Sequence, residues 1–559
     1  MRLRWALFTA ALVGALAGCR GKATPTPVAS AAVAEVPAPA SLLGELSLGN
    51  PKETWGRLRL LSGDLAQALP SNLPVLLATS LSLPPSAAGS LDESLPMVGA
   101  LLAKPGANEP DAVLGMHVQS GAELVASLTL GAAAKFRRVD LAPGLVRLVS
   151  APGAPEFNGA LGVSGNYLLL ATRVEALSEA GRFVAEVVPK RARSEPGLSL
   201  RTADKVLAGS FTRALRDAWQ AQRALLAARD KAQREAKGRE PDFADPEVLL
   251  GGIDSTIESW LGVVESSREL SISLVPHADR LVAELSLLPA PDGAAALLQR
   301  EVVVGSLAPL LALPAGARAA LLMRDDPASS PGSGLGPALV RLFGERLNAQ
   351  QSDQLLKAFE ALAKSRRGAS VVALLAPPSP ALLVTCEVSD AEAFSKALTD
   401  VLGLVNLGPV RSWLTSTVGA PSLVLGPGPQ GSRRATLRLQ RAGRAALPLP
   451  SELFVSWQAR DGVASIVISP DAKLGLAPLA EPARLGASAW LSQSQTRLSD
   501  RAALGLFLDA RLLAPGPGPE PAPVLVTFGK QGERIVLSLD LAPPALRALS
   551  GRFGVDKTP

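Results

Sequence analysis

Side chains able to do chemistry are few in these 559 residues: two histidines, His117 and His277, two cysteines, Cys19 and Cys386, and one tyrosine, Tyr167. The histidines stand in unlike contexts. His117 closes an apolar run that reads as a strand, and His277 sits in the turn Pro276-His277-Ala278-Asp279, so nothing resembles a His-based metal cluster. Serine acyl transfer has no scaffold either, because neither Ser-x-x-Lys nor Gly-x-Ser-x-Gly occurs. Gly332-Ser333-Gly334-Leu335-Gly336 precedes the helical pattern Leu339 to Phe343, a context in which backbone amides can cradle phosphate. Its spacing is not the dinucleotide fingerprint and the phosphate-loop lysine is missing, so it reads as a connector. Asp325 and Asp326 are adjacent, their carboxylates diverge on extended backbone, and a surface turn is the better reading. Cys386 alternates with Leu382, Val384 and Val388 on one strand face, which puts its thiol in the core, where a raised pKa makes it a poor nucleophile. No catalytic, cofactor-binding or metal site is expected.

The other cysteine has a different setting. Arg2 and Arg4 carry positive charge, Trp5 to Leu16 form one short apolar run, and small residues lead into Cys19. The run is shorter than the ~20 residues a membrane-spanning helix needs, so residues 1–18 read as a signal peptide that is removed. Leu16-Ala17-Gly18-Cys19 resembles the lipobox of bacterial lipoproteins and matches it completely. The resemblance implies a diacylglycerol on the Cys19 sulfur, cleavage between Gly18 and Cys19, and acylation of the new amino group. Two or three acyl chains give stable anchoring where one does not. Arg20 follows the cysteine in place of the Asp that resembles an inner-membrane retention signal in enteric lipoproteins, so an outer-membrane location facing the periplasm is expected.

Residues 19–42 are rich in Pro and Ala without apolar periodicity and read as a tether; a coil of about twenty residues has an r.m.s. reach of ~25 Å. Hydrophobic residues make up 47% of the chain, charged residues 19% and aromatics 4%, so the core must be aliphatic. The net charge of +6 is dispersed rather than clustered with aromatics, which argues against nucleic acid as a partner. Once Cys19 is acylated, Cys386 has no thiol left to pair with, so the fold rests on packing.

Two phrases far apart read as hairpins closing a unit: Leu270 to Leu274 with Arg280 to Leu287, and Val524 to Phe528 with Arg534 to Leu541. Val75 to Ala78 and Ala319 to Met323 read as matching strands. Val113 to Val118 with Leu124 to Leu128, and Val371 to Leu375 with Leu382 to Val388, read as matching strand pairs, each followed by a helix. In the second copy this helix opens at Ser389 with Glu392 as a capping box; in the first it is Ala132 to Arg137. Gly159 to Leu170 reads as a further hairpin about Ser164-Gly165-Asn166. The fold expected is α+β: two diverged tandem repeats of antiparallel sheets with packed helices, at 43–300 and 301–559. A helical hairpin is expected as an insertion in the first repeat near 203–264. One of its helices carries Leu207, Phe211 and Leu215, and the other, capped by Asp245, presents Ile253, Ile257, Trp260 and Val264.

The expected role is a non-catalytic interaction or scaffold protein, held to the membrane by N-terminal acyl chains, with an envelope protein or a lipid as partner. A carrier of a hydrophobic ligand and a hydrolase working through paired carboxylates are the alternatives. A pair at ~5 to ~9 Å suffices for glycan hydrolysis and is assembled in space, so sequence leaves it open.

Overall fold

The computed structural model describes residues 36–552 except 63–71, 81–84, 105–109, 131–133, 153–157, 193, 204–205, 238–245, 326–334, 377–379, 441–449, 499 and 513–520. The signal peptide, the lipobox with Cys19, most of the tether, Asp245, Gly332 to Gly334 and Asp326 therefore lie outside the described residues.

Twenty strands form one antiparallel sheet among the described residues. In chain order they are β1 (Leu42–Gly49), β2 (Met97–Leu102), β3 (Asp111–His117), β4 (Phe136–Ala142), β5 (Leu145–Ser150), β6 (Ala160–Ser164), β7 (Tyr167–Ala171), β8 (Gly197–Ala203), β9 (Ser267–Pro276) and β10 (Leu281–Pro289). They continue as β11 (Ala317–Arg324), β12 (Arg366–Leu375), β13 (Ala381–Val388), β14 (Ala420–Pro427), β15 (Arg433–Gln440), β16 (Glu452–Arg460), β17 (Val463–Ser469), β18 (Ala502–Asp509), β19 (Pro523–Gln531) and β20 (Arg534–Leu541).

Pairing fixes the spatial order. From one edge inward it runs 4-5-6-7-3-2-1-8-9-10. From the other edge inward it runs 14-15-16-17-13-12-11-18-19-20. Adding ten to every strand of the first half converts one order into the other. The halves meet where β10 pairs with β20, Leu281 opposite Leu541 and Leu287 opposite Ile535.

Burial on both faces explains the near-continuous apolar runs of the outer strands. On β6 and β7, Leu161, Val163, Leu168 and Leu170 pack with Leu124 and Leu128 of helix α1 (Gly121–Thr129). The alternate set Ala160, Tyr167, Leu169 and Ala171 packs with Leu177 and Phe183 of helix α2 (Val174–Glu186). In the second half Cys386 and Val388 of β13 join Phe394 and Leu398 of helix α5 (Ala391–Gly403), while Ala381 and Leu383 join a different cluster. Between β8 and β9 two long helices, α3 (Thr212–Lys237) and α4 (Pro246–Glu265), pair through Arg216 with Glu258 and Arg223 with Asp254.

Several expected elements differ. Val75 to Ala78 is helical, within Leu73–Ser80, where Leu73 and Leu77 are buried one turn apart and Val75 is exposed. Leu124 to Leu128 belongs to α1, because the hydroxyl of Ser120 accepts from the Glu123 amide and caps a helix there. Phe136 and Arg137 open strand β4. The cap of α5 is Asp390, which accepts from the amides of Glu392 and Ala393, so Ser389 is one residue outside.

Candidate functional site

The middle of the sheet is polar on one face. Ser47 on β1 lies opposite Ser199 on β8, Ser199 opposite Ser273 on β9, and Ser273 opposite Glu284 on β10. The row then crosses the junction, from Glu284 to Ser538 on β20 and Thr527 on β19. Each serine stands between aliphatic neighbours, as in Leu46-Ser47-Leu48, Leu198-Ser199-Leu200 and Leu537-Ser538-Leu539, so alternation sends the hydroxyls to one face and the leucines to the other. Ser47, Ser273 and Ser538 are buried, and the Ser47 and Ser199 hydroxyls hydrogen-bond at 2.7 Å.

A cleft of about 160 Å³ opens on this floor, its polar groups Ser47, Arg57, Glu195, Ser199, Ser273 and His277 set among Pro196, Gly197, Leu198 and Val275. Helix Pro51–Ser62 supplies Arg57. That helix is held against β8 by Thr54, which donates to the Gly49 carbonyl at 2.6 Å and accepts from the Gly197 amide at 2.9 Å. Arg57 is positioned in turn, donating to the Pro276 carbonyl at 3.1 Å and pairing with Glu53.

His277 leaves the end of β9 and its amide donates to the Arg280 carbonyl at 2.8 Å. Burial, and then the guanidiniums of Arg497, Arg280 and Arg57, press its pKa below the usual imidazole value, against the opposing pull of Asp279. The imidazole is therefore neutral at pH 7, a donor and an acceptor rather than a cation. Beside it Arg280 donates to Ser494 at 2.6 Å and to Gln493 at 2.7 Å, and stacks over the Trp490 ring at 4.9 Å. Asp540 accepts from Ser494 at 2.9 Å and pairs with Arg497. These partners come from helix α6 (Ala489–Leu498), which ties the two halves together.

The arrangement offers hydroxyls, one guanidinium, one neutral imidazole and one carboxylate, together with apolar wall, to a small ligand. Its volume is below the ~300 Å³ at which pockets for drug-sized ligands begin, and Pro196, Leu198 and Val275 add apolar wall between the polar groups.

Of the residues singled out in the sequence, only His277 reaches this cleft. His117 lies across the first half, with Nδ1 at 3.4 Å from Asp92 and its ring edge-on to Tyr167 at 5.3 Å between centroids. Cys386 is 4% exposed, and burial raises its thiol to about 11. Asp325 is exposed and pairs with Arg366 at 2.9 Å. No group of three His, Cys, Asp or Glu side chains that could hold a metal occurs among the described residues. Sequence reasoning missed Arg57, Glu195 and the serine row. The recurring Leu-Ser-Leu triplet inside strands was the available signal.

No protein-family model matches this chain. No curated protein matches it either. Among solved structures, one titled "Structure of crystal form I of TP0453" aligns at 12% identity, covering 44% of this chain and 98% of that one, with a TM-score of 0.20. At that score the likeness establishes neither fold nor function.

Proposed function

We propose that this chain is a lipid-anchored protein of the bacterial envelope, held by acyl groups on Cys19 at the outer membrane and facing the periplasm. Its body is a non-catalytic interaction or scaffold platform of two diverged α+β units at 43–300 and 301–559. The observation that carries the two-unit reading is the strand order: ten strands in each half follow one sequence of pairings, and the junction β10–β20 joins corresponding strands. The helices of residues 212–265 are the insertion in the first unit, since residues 204–266 separate β8 from β9 where residues 510–522 separate β18 from β19.

The cleft supports a platform over a carrier, because its volume of about 160 Å³ is well short of the ~300 Å³ at which pockets that enclose a ligand begin. It supports a platform over a carboxylate hydrolase too, because Glu195 is the one carboxylate among the described lining residues and that chemistry needs two.

The test combines intact-cell crosslinking with mass analysis of the mature N-terminus. The reading requires acyl groups on Cys19, loss of membrane partitioning in Cys19→Ala, and a reproducible crosslinked envelope protein. An unmodified Cys19 removes the anchor; a chain that crosslinks to nothing, or that yields a lipid on organic extraction, removes the platform.

A further inference from the structure

The paired helices α3 and α4 are built inside out. Charges and polar groups fill the seam between them: Arg216 pairs with Glu258 at 3.0 Å and Glu265 at 3.3 Å, Arg223 with Asp254 at 2.8 Å, and the Trp219 indole donates to Asp254 at 2.8 Å. Apolar side chains face water, with Leu215 43% exposed, Leu226 38%, Ile253 44% and Trp260 45%. They are not scattered. Leu215 and Leu226 lie eleven residues apart, three turns on one face of α3, and Ile253, Ile257 and Trp260 follow at intervals of 4 and 3 on α4. With Arg216, Trp219 and Arg223 turned toward Asp254 and Glu258, helical geometry puts both stripes on the same flank of the antiparallel pair. At its root that flank is continuous with the sheet, the Trp260 ring meeting Phe528 of β19 edge-on at 5.6 Å.

We infer that this flank lies in the interface of the bilayer carrying the N-terminal anchor, as a second membrane contact; the inference rests on the anchored reading above. Position is what selects a bilayer. The tether joins the sheet at Leu42, the start of β1, and Gly44 of β1 pairs with Thr202 of β8. β8 ends at Ala203, and the π-helical segment Leu207–Phe211 runs directly into α3, so the paired helices leave the sheet beside the point where the tether arrives. A tether reach of ~25 Å keeps the bilayer within the ~39 Å length of a 26-residue helix, and that confinement raises the effective concentration of the flank at the surface. The contact is apolar rather than electrostatic, since residues 223–247 carry six basic and six acidic side chains and their net charge is zero.

Vesicle flotation of residues 19–559 with Cys19→Ser, which has no acyl groups, tests the flank apart from the anchor. The chain should float with phosphatidylcholine vesicles and with vesicles containing phosphatidylglycerol, changing less than twofold in 0.5 M salt. Leu226→Glu with Ile253→Glu should lower the floated fraction at least tenfold at an unchanged melting midpoint. Should that pair disturb folding, a fluorophore on Gln222→Cys should shift to the blue on adding vesicles while one on Ser259→Cys, on the opposite flank, should not. A chain that stays at the bottom of the gradient, floats equally well with both glutamates, or shows the same shift on both flanks overturns the inference. So does loss of a crosslinked protein partner, without vesicle binding by the parent, in the Leu226→Glu, Ile253→Glu variant. An unmodified native Cys19 would instead sink the anchored reading and leave the flotation result standing.

Discussion

Arg280 and Asp540 face each other across the strand pair that joins the two halves of the sheet, guanidinium to carboxylate at 3.7 Å, with 5% and 1% of the side chains exposed. Arg497 and Ser494 close the arrangement from α6. A buried charge deprived of its partner costs about 3–5 kcal/mol, whereas removing both partners costs much less. Asp540→Ala, which leaves Arg497 without its carboxylate while Arg280 keeps Asp279 at 2.7 Å, is expected to lower unfolding free energy by about that amount in urea. Adding Arg497→Met should recover part of the loss. A single-variant loss below about 1 kcal/mol would show that the junction does not depend on this group.

The same neighbourhood sets a pH dependence. His277 has its pKa lowered by burial and by Arg497, Arg280 and Arg57, with Asp279 opposing. The unfolded chain takes up the proton near pH 6.5 while the folded one resists it, so stability is lost as pH falls below that value. Urea midpoints at pH 7.5 and 5.5 should differ less in His277→Gln than in the parent. Equal differences would refute the role given to this imidazole.

Much of this was legible in the sequence, and the misses share a physical cause. The hairpins at Leu270 to Leu287, Val524 to Leu541 and Gly159 to Leu170 declare themselves because both strands and the turn are contiguous, so alternation and turn chemistry agree. The helices of residues 212–265 declare themselves by length. Short apolar runs carry no such redundancy: Leu124, Val125 and Leu128 fit a strand as well as a helix until Ser120 is seen to cap the turn. The cleft was illegible for another reason. Ser47, Ser199 and Ser273 are far apart in the chain, and only the register of β1, β8 and β9 lines them up.

Cys386 should be slow to react. Burial raises its pKa to about 11, so at pH 8 its thiolate population is roughly a hundredfold below that of an ordinary thiol, and the surrounding β13 packing adds steric protection. In a Cys19→Ser chain, maleimide modification at pH 8 is expected to be at least a hundred times faster in denaturing urea than in the native state. Comparable rates would place the thiol at the surface.

Asp509, at the end of β18, provides a complementary acid-side prediction. Burial works against its charge, but hydrogen bonds from Arg511 and from Arg318 at 2.6 Å prevail and hold the carboxyl at about 2. Its contribution is present above the unfolded value near 3.8 and is lost as pH falls toward 2. Asp509→Asn should cost about 2 kcal/mol at pH 7, and the gap from the parent should close between pH 4 and pH 2. A gap independent of pH would mean that the loss is one of shape rather than charge.

Two glycines of the β19–β20 hairpin should respond to alanine for different reasons and by different amounts. A Cβ on Gly529 would lie 1.7 Å from the Arg501 carbonyl oxygen and 3.2 Å from the Ala502 Cα. There β18 approaches with a register shift between Ala502 and Leu504, so backbone has to move. Gly532 has open space but a φ of +58°, a left-handed conformation in the hairpin turn. Gly529→Ala is therefore expected to cost about 3 kcal/mol through overpacking, and Gly532→Ala about 1 kcal/mol through conformation alone. Asparagine tolerates the left-handed region, so Gly532→Asn should restore most of the smaller loss, while no side chain at 529 should restore the larger. If Gly529→Ala unfolds at the parent's urea midpoint, the close approach of β18 to β19 at Ala502 is absent in solution.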